Sequence, residues 1–323
     1  MSDPAPERVL VLRALGLGDL LTAVPALRGL RRAFPAASTL LAAPAPLREL
    51  AALTGVVDEL VPTDGLGALS WAGPPPALAV NLHGSGPESI TDLVGTRPGT
   101  LLTHRHPDVP DVGGPPWQAD THEVDRWCAL LEHAGIAADP ADLGLAEPDV
   151  PSPCPGAVVL HPGAASPARR WPAERFAWVA AALAAAGHRV VVTGGPDERP
   201  LAREVARRAG LPGSWVVAGR TGLSELAALV ARAGLVLCGD TGVAHLATAY
   251  GTPSVLLFGP TPPSLWGPAR PGHRHVTLWS GRRGDPHARR ADPGLLELGV
   301  DDVLAAVTTQ LDRHAARGGT DHG

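Results

Sequence analysis

LVLCGDTGVAHLATAYGTP, residues 235–253, is where the chain declares its fold. Leu235 to Cys238 is an apolar run without alternation, the pattern of a strand buried on both faces of a parallel sheet. Gly239-Asp240-Thr241-Gly242 follows directly and opens a short helix, so strand and helix meet in a tight turn. The first amides of a helix lack intrahelical partners and the dipole is positive there, which makes such a turn an anion site. The Thr241 hydroxyl and the amides near Gly242 are its expected donors. Asp240 would repel a phosphate, so it is expected to order the loop or to meet sugar hydroxyls. His245, about one turn into the helix, is either a core or capping histidine or a ligand contact. Gly259-Pro260-Thr261, after the apolar run Ser254–Phe258, sets a second loop on the same sheet edge.

The same alternation extends outward in both directions. Upstream, Ala157–Leu160, Arg189–Thr193 and Trp215–Val217 read as strands, which with the two above make a set of five. Helical spacing fills the intervals: Pro172 to Ala186 with Gly187 as its stop, Asp197–Ala209, and Leu226–Ala233 after a half capping box at Gly222 and Glu225. Further back lies EPDVPSPCP, Glu147 to Pro155, the best linker in the chain. Before it, Val9–Leu12, Thr39–Ala42, Glu59–Val61 and Ala77–Leu82 read as strands, with helices from near Asp19 and over Val124–His133. The expected fold class is therefore α/β, with two Rossmann-like doubly wound parallel-sheet domains, 1–150 and 151–323, facing a cleft. Ligands in such sheets sit beyond the C-terminal strand ends.

Composition narrows the function. At 323 residues the chain has length for two domains, and 45% hydrophobic with 18% charged residues is globular. The sequence has no lysine, so all 27 Lys+Arg residues are arginine. A net charge of −5 speaks against nucleic-acid binding. Arg282, Arg283, Arg289 and Arg290, interrupted by Asp285, form a late basic cluster that is either a solvated loop or a contact for an anionic acceptor or membrane surface. Cys128, Cys154 and Cys238 lack metal or disulfide spacing and fit a reducing compartment. With neither a signal-peptide pattern nor a spanning segment, a cytoplasmic protein is expected, at most peripheral to a membrane.

Two further stretches carry chemistry. Arg13-Ala-Leu-Gly-Leu-Gly-Asp19 has glycines at 16 and 18, but a dinucleotide fingerprint would need a third at Leu21. Asp19 at the helix start is either an ordinary first-turn acid or a carboxylate able to act as a general base. His161-Pro-Gly163-Ala-Ala-Ser166-Pro-Ala-Arg169-Arg170-Trp171-Pro172 joins a strand to a helix through small residues. Its arginines are either solvated or paired with a diphosphate.

LGDLLTAVPALRGLRRAFP, HPGAASPARRWPAERF and GDTGVAHLATAYGTPSVLLFGPT, in this order and spacing, resemble glycosyltransferase family 9, the ADP-heptose:lipopolysaccharide heptosyltransferases. The resemblance covers nearly the whole chain and implies the two-lobed GT-B architecture, with the last helix, Val300–His314, packing back on the first domain. It implies Asp19 as general base in an inverting, metal-independent transfer of a heptose-like sugar from an ADP-sugar, with no cofactor. Arg169 falls where relatives commonly carry a phosphate-contacting lysine. Asp240, Thr241, Gly242 and His245 would line the donor site, with Gly18, Gly163 and Ser166 beside them and Glu198 on the ribose. The acceptor would be a glycan, glycolipid or small molecule. Asn81 departs from a frequent aspartate, and Pro262 interrupts the loop after Thr261. The competing readings are a sugar-nucleotide epimerase of the same two-lobed fold and a non-catalytic nucleotide-binding protein.

Overall fold

A computed structural model describes residues 7–269 and 272–318. The chain divides into two compact units, with the boundary between Ala146 and Glu147. The first contains β1 (Arg8–Leu12), α1 (Leu17–Ala33), β2 (Ser38–Ala43), α2 (Arg48–Leu53), β3 (Glu59–Pro62), β4 (Leu78–Asn81), α3 (Pro87–Gly95), β5 (Thr100–Leu102) and α4 (Glu123–His133). Its strands form one sheet in the order β3-β2-β1-β4-β5, with β1 parallel to both neighbours. Leu12 lies level with Ala42 on one side and Asn81 on the other, so the residues just after all three strands share one edge. Leu10, Leu12, Leu40, Ala42, Ala79 and Leu93 pack one face of this sheet.

The second unit contains β6 (Val158–His161), α5 (Ala173–Ala185), β7 (Val190–Val192), α6 (Arg199–Arg208), α7 (Leu223–Ala231), β8 (Leu235–Gly239), α8 (Gly242–Tyr250), β9 (Ser254–Leu257), α9 (Pro263–Trp266), β10 (His275–Leu278), α10 (Pro293–Leu296) and α11 (Val300–Gly318). Its sheet runs β10-β9-β8-β6-β7, again parallel. His161 pairs with Cys238 and Gly239 with Leu257, which brings the loops after β6, β8 and β9 to one edge. The α/β class with two doubly wound parallel sheets is thus the observed fold.

Four details differ from the sequence reading. Trp215–Val217 is no strand: Gly213–Trp215 is a 3₁₀ turn, and a single bridge joins Val216 to Val192. The fifth strand is His275–Leu278, an edge strand with no fully buried residue and hence no apolar run to announce it. The first sheet likewise gains a short edge strand, Thr100–Leu102. Helix α1 begins at Leu17, so Gly18 lies inside its first turn rather than in the turn before it, and Asp19 is a first-turn acid.

The last helix packs on α5, β8 and β9 of its own unit. Val303 and Val307, one turn apart, are fully buried in the second core together with Leu295 and Leu298. Burying each valine contributes roughly 1.5–3 kcal/mol. Among the described residues, no helix is long and apolar enough to cross a membrane.

Candidate functional site

In the first unit the chemistry gathers at the turn from β1 to α1. Gly16 caps the helix in an extended conformation, and its N–H donates to Asp19 Oδ2 at 3.2 Å. Arg13, the first residue beyond β1, is completely buried. Its Nε donates to the Asp19 carbonyl (2.9 Å), Nη1 to the Leu82 carbonyl, and Nη2 to Thr22 Oγ1 (3.1 Å) and Glu123 Oε1 (2.8 Å). The Asp19 carboxylate stands off at 3.4 Å from the same Nη2. Glu123, at the start of α4, also accepts from Arg126 Nε (3.2 Å) and Trp127 Nε1 (3.0 Å). The Trp127 ring lies under the Arg13 guanidinium, 4.9 Å from centroid to Cζ.

Asp19 binds its proton more tightly than an ordinary aspartate. Burial is the main cause and the Glu123 charge adds to it, against Arg13 and the backbone donors. Its side chain retains 27% exposure, so solvent or a substrate can reach it. On the next strand, Asn81 donates to Ser89 Oγ (2.9 Å) and Thr103 Oγ1 (3.0 Å) and accepts from the His83 N–H. These bonds pin the β4 loop, which supplies the Leu82 carbonyl that holds Arg13. Asn81 therefore serves as a buried anchor. His83 is held neutral, by burial first and by the Arg13 charge second.

In the second unit the site is built from the loops after β6, β7 and β8. Gly163 leaves room for Glu198: a Cβ there would lie 2.0 Å from Glu198 Oε1, and the carboxylate would have to move. The Glu198 carboxylate fills that space, accepts from Gly195 N–H at 2.8 Å, and lies 3.7 Å from His161 Nε2. Glu198 is the N-cap of α6, one residue before the helix rather than inside it. Burial depresses the proton affinity of His161 despite this carboxylate, which keeps the ring neutral. Ser166 turns the next loop by accepting from Ala168 N–H and donating to the Ala288 carbonyl, both at 3.3 Å.

Arg169 Nη1 sits 3.5 Å from Asp240 Oδ2, just ahead of α8. The side chain is 23% exposed, and its Nε is buried without a hydrogen-bond partner. His161 Nδ1 and Thr193 Oγ1, at the ends of β6 and β7, are orphaned in the same way. Buried polar groups are normally satisfied, so orphans at one sheet edge mark a place where a ligand completes them. Thr241 caps α8 without using its hydroxyl, which leaves both hydroxyl and helix amides for an anion. His245 stands edge-on to Trp266 with ring centroids 6.0 Å apart, so its aromatic contact is inside the unit.

Gly163 with Glu198, and Arg169 with Asp240, are thus brought into direct contact, and Ser166, Thr241, Gly242 and His245 lie on the same loops or the helix that follows. Gly18 belongs to the first unit, beside Asp19 in the first turn of α1. Sequence reasoning missed Arg13 as a buried hub and Glu123 altogether. Glu123 is 110 residues from Arg13 and reads as a solvated first-turn acid. Its one signal was the pair of arginine and tryptophan at 126 and 127 on the same helical turn.

Residues 115–293 match the model of Glycosyltransferase family 9 (heptosyltransferase). Lipopolysaccharide heptosyltransferase 3 of Escherichia coli is 35% identical over 160 residues, 48% of this chain and 46% of its own length. The match therefore spans about half the length of that curated relative. Among solved structures, a family 9 glycosyl transferase from Veillonella parvula superposes with a TM-score of 0.77 at 21% identity, covering 95% of this chain and 98% of that one. The E. coli ADP-heptose LPS heptosyltransferase II gives a TM-score of 0.75 at 21% identity, covering 95% and 99%.

Proposed function

This chain belongs to glycosyltransferase family 9, and from that premise we propose that it moves a heptose-like sugar from an ADP-linked donor to a hydroxyl of a glycan, glycolipid or small-molecule acceptor. The observation that carries the reading is the Arg169 Nε, an unspent cationic donor beside the α8 N-terminus, at the edge where the second sheet presents its loops. A cation and a helix start together suit a diphosphate, and Arg presents two parallel donors to it. The relatives' own descriptions, which name lipopolysaccharide heptosyltransferases and ADP-heptose, support the donor and the glycan acceptor.

In this reading the acceptor oxygen attacks the anomeric carbon from the face opposite the diphosphate. The carbon–oxygen bond to the diphosphate breaks, the configuration inverts, and the acceptor proton goes to Asp19. ADP leaves with the extra negative charge, which Arg169, the Thr241 hydroxyl and the Gly242 amide meet; that assignment asks for no metal ion. Glu198, fixed by Gly163 and Gly195, offers its second carboxylate oxygen to the ribose hydroxyls. Asp240 keeps Arg169 in place by their ion pair. The reaction would run in the cytoplasm, with at most peripheral contact to a membrane.

The test is turnover of ADP-heptose with a panel of core-type glycan acceptors, reading both ADP release and the mass of the glycosylated product. Asp19→Asn keeps the shape but removes the base, and should lower turnover about 10²–10⁴-fold. Full activity in Asp19→Asn would refute the base, and ADP release without glycosylated product would refute the transfer. The raised proton affinity of Asp19 sets the sign of the pH dependence. Activity should be complete above its titration and fall as the carboxylate takes up its proton at lower pH.

A further inference from the structure

Glu123 takes no part in the steps above, yet it competes with Asp19 for the same cation. Arg13 is completely buried, so water screens little of what it does. Left with one carboxylate, a guanidinium forms a close, two-pronged pair with it. Here that closeness goes to Glu123 at 2.8 Å, while Asp19 is held at 3.4 Å and its carboxylate is otherwise fixed by the Gly16 N–H. Arg13 also donates to the Asp19 and Leu82 carbonyls and to Thr22. Glu123 itself is immobilised by Arg126 and Trp127.

We propose that Glu123 is a positioning residue that draws the Arg13 guanidinium away from the Asp19 carboxylate, so that this carboxylate stays open to the acceptor hydroxyl. The inference rests on the reading of Asp19 as the base. The charged and titratable groups around Asp19 are Arg13 beyond β1, His83 beyond β4, and Glu123 with Arg126 on α4; His83 stays neutral. Both effects of Glu123 act in the same direction. Its own charge favours the protonated form of Asp19, and its hold on Arg13 weakens the opposing cation.

The experiment uses the full chain carrying carboxyl-¹³C aspartate, with the Asp19 signal assigned by its loss in Asp19→Asn. In Glu123→Gln, Asp19 should titrate about one pH unit or more lower than in the wild type. The acid limb of kcat/KM should move down with it, and kcat at neutral pH should fall roughly three- to tenfold because a weaker base accepts the proton. Glu123→Asp, which returns the charge, should bring the titration and the acid limb back toward wild type. An Asp19 titration in Glu123→Gln at or above the wild-type value overturns the proposal. A shifted titration with an unmoved acid limb overturns Asp19 as the base, and Glu123's positioning role with it. Should Glu123→Gln fail to fold, the wild-type titration still tests the proposal: an Asp19 titrating below the ordinary value of about 3.9 overturns it, because Arg13 would then be acting on that carboxylate in full.

Discussion

Each unit sets an arginine against an aspartate at the C-terminal edge of its sheet, and the two pairs are built in opposite ways. Arg13 is fully buried, with its hydrogens shared among Glu123, Thr22 and the Leu82 and Asp19 carbonyls, and with Trp127 under its face. Arg169 is 23% exposed, reaches Asp240 only at 3.5 Å, and keeps an Nε without a partner. Where the arginine has several other acceptors, the neighbouring aspartate binds its proton more tightly than usual, through burial first. In the second unit the arginine keeps an unspent donor, and in the proposed function it is the ligand-binding member with the aspartate as its tether. On the proposed reading the same two residue types supply a base in one unit and a phosphate contact in the other, and the two guanidinium groups differ in how many other acceptors surround them.

The largest contrast should appear in stability. Arg13→Met leaves Glu123 and Asp19 without their buried cation and should cost about 3–5 kcal/mol in urea unfolding. Arg169→Met removes a longer pair whose arginine is part exposed, and should cost clearly less than Arg13→Met. Equal losses in the two variants would erase the distinction.

A smaller effect sharpens the second site. Gly163→Ala puts a methyl where the Glu198 carboxylate lies, 2.0 Å from Oε1, so Glu198 must swing away. If Glu198 holds the ribose through a charge-assisted hydrogen bond, ADP affinity by calorimetry should drop about tenfold or somewhat more. Unchanged affinity would remove Glu198 from the donor site while leaving Arg169 in it.

Much of this was legible in the sequence because the decisive segments are local. Leu235–Cys238 running into Gly239-Asp240-Thr241-Gly242 encodes a buried strand, a turn and a helix start within a dozen residues, and β8 and α8 are found there. Trp215–Val217 misled because its aromatic and β-branched residues suit a strand, while Pro212 and Gly213 begin a 3₁₀ turn that leaves one bridge. The edge strands β5 and β10 lack the buried run that marks a central strand. Contacts distant in sequence stayed hidden. Gly163 and Glu198 were each named through resemblance, but only folding reveals that one makes room for the other. Arg13 and Glu123 belong to segments whose local patterns say nothing of their meeting.

The most direct test is calorimetric titration of ADP into the wild type, Arg169→Ala and Asp19→Asn under one set of conditions. If the second unit holds the diphosphate through Arg169 while Asp19 acts only on the acceptor proton, Arg169→Ala should bind ADP at least about tenfold more weakly, the loss expected for a charged hydrogen bond. Asp19→Asn should bind it as the wild type does. Undiminished binding by Arg169→Ala, or an equal loss in Asp19→Asn, would contradict that division of labour.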